Sequence, residues 1–167
     1  MAAEKFIKLS SGQLTEQAAT QSGGGGNENK IPALDSTGRL AAGMMPVGIA
    51  PEVVLCPASE ALVAGNKINL WSDGGTLKAR KADCSNGRRA HGFVLAGFDE
   101  AATATVYLEG NNTGVSGKTI GATYFLSTAG GISDTPPSTA GHIVQEIGVA
   151  VSATEITFDP GKPITLA

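Results

Sequence analysis

Apolar residues along this chain occur in short runs that are separated by clusters of Gly, Pro, Ser, Thr and Asp. Runs of this length, rich in Val, Ile, Tyr and Phe and bounded by turn formers, predict β-strands. Alternation of apolar and polar residues in 103–109 and 155–158 indicates half-buried strands. We therefore expect strands at residues 53–56, 67–71, 76–81, 91–96, 103–109, 124–127, 142–152 and 154–158.

The turn residues between these runs predict how the strands connect. Asp73-Gly74-Gly75 and Gly130-Gly131 can supply the positive φ of a tight hairpin turn. Pro136-Pro137 cannot donate to a strand ladder, so 134–138 is expected to be a surface loop. About eight strands with short links and no helical periodicity predict an all-β fold, a small antiparallel β-barrel or sandwich.

The first 50 residues differ from the rest of the chain in composition and in their predicted elements. A short strand is expected at 5–9, then a turn at 10–12, a polar stretch with helix-friendly residues at 13–20 and a Gly-rich linker at 21–28. Residues 30–40 read as extended, and the apolar 41–51 is interrupted too often by Gly and Pro for a helix. We therefore divide the chain into an extended N-terminal arm, residues 1–50, and a β-barrel body, residues 51–167.

Composition and charge narrow the function classes. The net charge of −3 argues against non-specific nucleic-acid binding, and an aromatic content of 5% leaves few stacking platforms. No apolar run approaches the roughly 18–20 residues that span a bilayer. The first twelve residues lack an apolar stretch followed by a small-residue cleavage site, so we expect no signal peptide. We expect neither a nucleic-acid nor a membrane partner.

No set of residues predicts catalysis. Gly117-Lys118-Thr119 resembles the end of a phosphate-binding loop, but Asn112 replaces the first Gly and a strand is expected afterwards. His91 and His142 stand in no recognisable motif with a nucleophile or carboxylate. No His, Cys, Asp and Glu spacing suits a metal. We expect no enzyme activity, no cofactor, no metal and no small-molecule substrate.

Three further features have two interpretations each. Cys56 and Cys84 are 28 positions apart and belong to no cysteine motif, which favours two free thiols over a disulfide. For Trp71, the single tryptophan, packing on its own core is the favoured interpretation, and an interface anchor is the alternative. One cluster of basic residues is expected either to be a solvated surface or to bind an acidic protein partner. It consists of Lys78, Arg80, Lys81, Arg88 and Arg89.

Several segments resemble tailed-bacteriophage head decoration (cement) proteins. Residues 30–40 (KIPALDSTGRL) with 44–49 (MMPVGI) resemble their N-terminal arm, a style also found in some head-fibre and tail-fibre proteins. Residues 64–71 and 78–82 look like the first hairpin of their barrel. Residues 92–96, 107–110, 121–131 and 144–150 look similar too.

The resemblance implies a structural virion protein, usually a homotrimer, that sits on the outer capsid, binds the major capsid protein and bridges capsomers. An arm with apolar residues can add strands to a partner sheet, and three linked arms act together. The candidate partner contacts are the apolar arm residues Phe6, Ile7, Leu9, Ile31, Leu34, Leu40, Met44, Met45, Val47 and Ile49. The alternatives are a head- or tail-fibre component that binds a host receptor or glycan and, third, a small hydrolase.

Overall fold

The computed structural model describes residues 5–21, 30–34, 38–40, 44–45 and 51–167. The chain divides into two compact units, Met1–Ala50 and Pro51–Ala167. The described residues form fourteen strands, with antiparallel pairing in every ladder and no α-helix. The predicted all-β antiparallel fold class is confirmed.

The first unit contains a β-hairpin of two six-residue strands, β1 (Lys5–Ser10) and β2 (Gln13–Ala18). The turn between them is Ser11-Gly12, with φ of 50° and 78°. Positive φ at both turn residues matches the right-handed twist of the flanking strands. The predicted strand and turn are confirmed. The polar stretch after the turn, which we interpreted as helix-friendly, is a strand because it pairs along its whole length with β1.

The second unit begins with a five-stranded sheet. Its strands are β3 (Val53–Pro57), β4 (Lys67–Asp73), β5 (Thr76–Lys81), β6 (Gly92–Phe93) and β7 (Thr103–Tyr107). They lie in the order β3-β7-β6-β4-β5. Gly74 and Gly75, with φ of 58° and 88°, form the predicted hairpin turn between β4 and β5. A parallel bridge between Ala58 and Ala79 joins the end of β3 to β5.

The remaining strands form a second five-stranded sheet and a separate pair. They are β8 (Gly110–Asn112), β9 (Thr123–Leu126), β10 (Ile132–Ser133), β11 (Ile143–Val144), β12 (Glu146–Ser152), β13 (Glu155–Phe158) and β14 (Ile164–Thr165). The sheet has the order β10-β9-β12-β13-β8, and β11 pairs with β14. The predicted turn at Gly130-Gly131 joins β9 and β10, and 134–138 is an irregular, largely exposed loop.

Side chains from strands of both sheets form the core of the second unit. Ile68 and Val106 are buried in one cluster, and Phe93, Leu126 and Phe158 in the next. The Phe93 ring centroid lies 5.3 Å from that of Phe158. Full burial of such a side chain contributes about 1.5–3 kcal/mol. Phe93, on β6, therefore links the first sheet to β13 of the second.

Several strand predictions need correction. The run 142–152 is two strands, because β11 pairs with β14 whereas β12 pairs with β9 and β13. Gln145 lies between the two strands, and its buried side-chain amide bonds to the backbone of Ala90. The run 91–96 contains only the two residues of β6. The strands β8, β10 and β14 were missed, since two or three residues carry too little pattern. Of the two architectures left open, sandwich-like sheets fit. The ladders of residues 51–167 close neither five-stranded sheet, although the Ala58–Ala79 bridge connects the edge strands β3 and β5 of the first.

Candidate partner-binding surfaces

The β1–β2 hairpin has one apolar face. Residues paired across an antiparallel ladder point to the same face, and the register places Leu9 opposite Leu14 and Ile7 opposite Glu16. Ile7, Leu9 and Leu14 therefore share a face, which we call the hairpin apolar face. Their exposed fractions are 64%, 68% and 75%. An ion pair between Lys5 and Glu16 lies at the other end of the same face.

The hairpin apolar face is a candidate contact surface. An isolated two-stranded hairpin is marginally stable in water, because two strands have no third layer to cover their apolar side chains. The sequence analysis proposed Ile7 and Leu9 but missed Leu14, since the segment around it was interpreted as polar. The signal was present: a tight turn at Ser11-Gly12 predicts an antiparallel return strand, which places Leu14 beside Leu9.

The other candidate contact residues of the arm lie on the opposite face of the hairpin or follow it in the sequence. Phe6 is half-buried on the opposite face of β1. The Thr20 amide donates to the Ile31 carbonyl at 3.1 Å, and the side-chain amide of Gln21 donates to the Leu34 carbonyl at 2.8 Å. Four of these candidates have exposed side chains, namely Ile31, Leu34, Leu40 and Met45. Met44 is half-buried. Val47 and Ile49 lie outside the described residues.

The five clustered basic residues singled out in the sequence, which lie between positions 78 and 89, fall into two groups. Lys78 Nζ lies 2.6 Å from Asp73 Oδ2, and Lys81 Nζ lies 3.8 Å from Glu60 Oε2. The three arginines, Arg80, Arg88 and Arg89, make no ion pair with a carboxylate in the part of the chain that the structure describes. Each of the two lysines therefore has a carboxylate within ion-pair distance, whereas Glu60 and Asp83 act on Arg80 and Arg88 only from farther away.

Trp71 packs against its own chain. Its indole Nε1 donates to Ser59 Oγ at 3.0 Å, and the guanidinium carbon of Arg80 lies 4.5 Å from the ring centroid. Arg80 Nε donates to Asn69 Oδ1 at 2.9 Å. Trp71 thus contacts its own unit, but its partners are Ser59 and a guanidinium group rather than the apolar core that the sequence favoured.

The two histidines have different surroundings. His91 Nδ1 accepts from the Leu70 amide at 3.0 Å. Burial, and then the charge of Arg89, lower the pKa of His91. His142 Nδ1 lies 4.0 Å from the buried Cys84 Sγ, a contact that no sequence spacing signalled.

Both cysteine thiols have a raised pKa. Burial, and then the charge of Asp83, raise the pKa of Cys84, and burial raises the pKa of Cys56. A catalytic thiol needs a lowered pKa. Both cysteines are free, as predicted. Within residues 5–21, 30–34, 38–40, 44–45 and 51–167, no three His, Cys, Asp or Glu side chains come together as a metal site.

The loop that resembled a phosphate-binding loop is irregular and runs into β9 rather than a helix, as the sequence predicted. Lys118 Nζ lies over the Tyr124 ring, 4.8 Å from its centroid, and the Lys118 side chain lines an open cavity of about 280 Å³. Behind this cavity Lys67 is completely buried, and its Nζ donates to the Gly65 carbonyl at 2.7 Å. Burial, and then the charge of Lys118, lower the pKa of Lys67 to about 7.

Comparison with protein-family models, with curated proteins and with solved structures gave no match to this chain. None of the helices in the described residues has the length and apolar character to cross a membrane.

Proposed function

We propose that the protein is a structural virion protein that binds the outer surface of an assembled phage capsid. In this proposal the arm, residues 1–50, contacts the major capsid protein, and the body, residues 51–167, holds three copies together. The observation that carries the proposal is the hairpin apolar face, because Ile7, Leu9 and Leu14 remain exposed on a pair of strands that cannot cover them.

The energetics suit a contact that is used several times. Burial of each aliphatic side chain contributes about 1.5–3 kcal/mol. Association costs several kcal/mol in lost freedom of the partners, so one hairpin alone binds weakly. Linkage of several arms in one oligomer raises the overall avidity by about 10²–10⁴. On the body, the edge strand β3 exposes Val53 and Leu55, which supports self-association through this unit.

The first measurement is the mass in solution by light scattering. Three chains of 16.8 kDa give about 50 kDa, the mass expected of the trimer. A monomer at the concentrations used for capsid binding would remove the avidity argument and contradict the proposal.

The second measurement is co-sedimentation with empty capsids of the phage that encodes the chain. The triple variant Ile7→Thr, Leu9→Thr and Leu14→Thr keeps strand-forming residues but removes the apolar face. We expect it to remain oligomeric and to lose capsid binding by about tenfold or more. The matched control, Lys8→Thr with Gln13→Thr on the opposite face, is expected to bind as the wild type does.

Two results would contradict the proposal. One is unchanged capsid binding by the triple variant. The other is saturable binding of the wild-type protein to a glycan array without binding to capsids, which would favour the fibre component instead.

A further inference from the structure

The guanidinium group of Arg80 is held in a fixed orientation on the surface of the first body sheet. Arg80 lies opposite Asn69 in the β4–β5 ladder, and its Nε donates to the Asn69 Oδ1. The guanidinium carbon lies over the Trp71 ring, and Ser59 accepts a hydrogen bond from the indole. No described residue accepts a hydrogen bond from the two terminal nitrogens of Arg80. A pre-oriented guanidinium loses little side-chain entropy when it binds.

Three arginines, Arg80, Arg88 and Arg89, outnumber the two carboxylates that act on this group, Glu60 and Asp83. Burial, and then the proximity of Arg88, lower the pKa of Arg80, and Glu60 opposes this effect in part. Glu60 is itself engaged by Lys81, whose amide donates to Oε1 at 3.0 Å. Arg89 is exposed and directs its Nε to the His91 ring. A surface with more guanidinium groups than carboxylates attracts an anion from outside the chain.

We propose that Arg80, together with Arg88 and Arg89, binds carboxylate side chains on an acidic protein surface. The paired terminal N–H groups of a guanidinium match the two oxygens of a carboxylate in a bidentate geometry. Nucleic acid fits the surface less well, because the net charge is −3 and one face of the Trp71 ring is already covered by Arg80. The inference concerns the body alone and does not depend on capsid binding by the arm.

The test uses the full-length protein and a synthetic hexaglutamate peptide as the probe. The Trp71 indole N–H and the Arg80 Nε–H signals are followed by NMR at about 50 mM salt, where charge interactions are weakly screened. We expect a saturable shift of both signals that weakens as salt is added. The Arg80→Lys variant keeps the charge but loses the two-pronged geometry, so the peptide affinity should fall by about tenfold or more.

The control variant is Lys162→Met, which removes one exposed positive charge elsewhere on the body. Its affinity for the peptide should stay within about twofold of the wild type. Equal weakening by both variants would reduce the effect to net charge and overturn the proposal. Tighter binding of duplex DNA than of the peptide would overturn the proposal. Self-association of the wild-type protein that is lost in the Arg80→Lys variant would also overturn it, because the partner would then be a second copy of the chain.

Discussion

Replacement of Lys67 by methionine is expected to stabilise the protein, and to do so in a manner that depends on pH. Lys67 is completely buried in β4, where its Nζ bonds only to the Gly65 carbonyl among the described residues. Methionine has a similar unbranched shape without the charge. The Gly65 carbonyl keeps a partner in the variant, because the Asn112 side-chain amide also donates to it at 3.1 Å.

The magnitude follows from the lowered pKa. The pKa of Lys67 falls from 10.5 to about 7, and one pKa unit corresponds to about 1.36 kcal/mol. The charged form therefore costs at most about 5 kcal/mol of stability below pH 7, and relaxation of the surroundings reduces this figure. Between pH 7 and 10.5 the unfolded chain binds the proton that the folded chain has released. The stability of the wild type consequently rises with pH through this window.

Urea denaturation of both proteins between pH 6 and pH 10, followed by Trp71 fluorescence, measures the effect. Other groups titrate in this range in both proteins, so the informative quantity is the difference between the two unfolding free energies. We expect Lys67→Met to be more stable by several kcal/mol at pH 6 and by little at pH 10. The exposed Lys162→Met is the control and should show no such trend. A constant difference across pH, or a less stable Lys67→Met at pH 6, would refute the reasoning.

Two more predictions concern the body. Gly148 has φ of 151°, and a Cβ there would lie 2.0 Å from the Thr157 carbonyl oxygen, so Gly148→Ala should cost about 2 kcal/mol or more in urea unfolding. Gly97→Ala, where a Cβ meets nothing closer than 3.5 Å, is the control, and equal stabilities of the two variants would contradict the strain. The lowered pKa of His91 means that the folded state favours the neutral ring, so its contribution is present above pH 6.5 and is lost as the pH falls from 6.5 through the lower pKa of the folded state. His91→Asn should have a flatter acid limb in a thermal-melt series, and an unchanged limb would count against this role.

Local pattern was sufficient for the fold class and for the tight turns. The alternation in 103–107 and 155–158 matches strands β7 and β13, and the Gly74-Gly75 pair forms the turn that two positive φ angles require. These features depend on residues next to one another, so the sequence contains the whole signal. The hairpin of the arm was half predicted, because the turn was recognised and its return strand was not.

The sequence by itself determined an all-β chain whose second part has a compact core and whose first part carries apolar residues. Only the tertiary structure decided the environments of Lys67, Arg80 and Cys84. Lys67 and Arg80 both lie in predicted strands, yet one is buried without a carboxylate and the other is fixed between Trp71 and Asn69. Such environments arise from pairing between residues far apart in the chain, and burial and neighbouring charge, rather than residue type, set the charge state of a side chain.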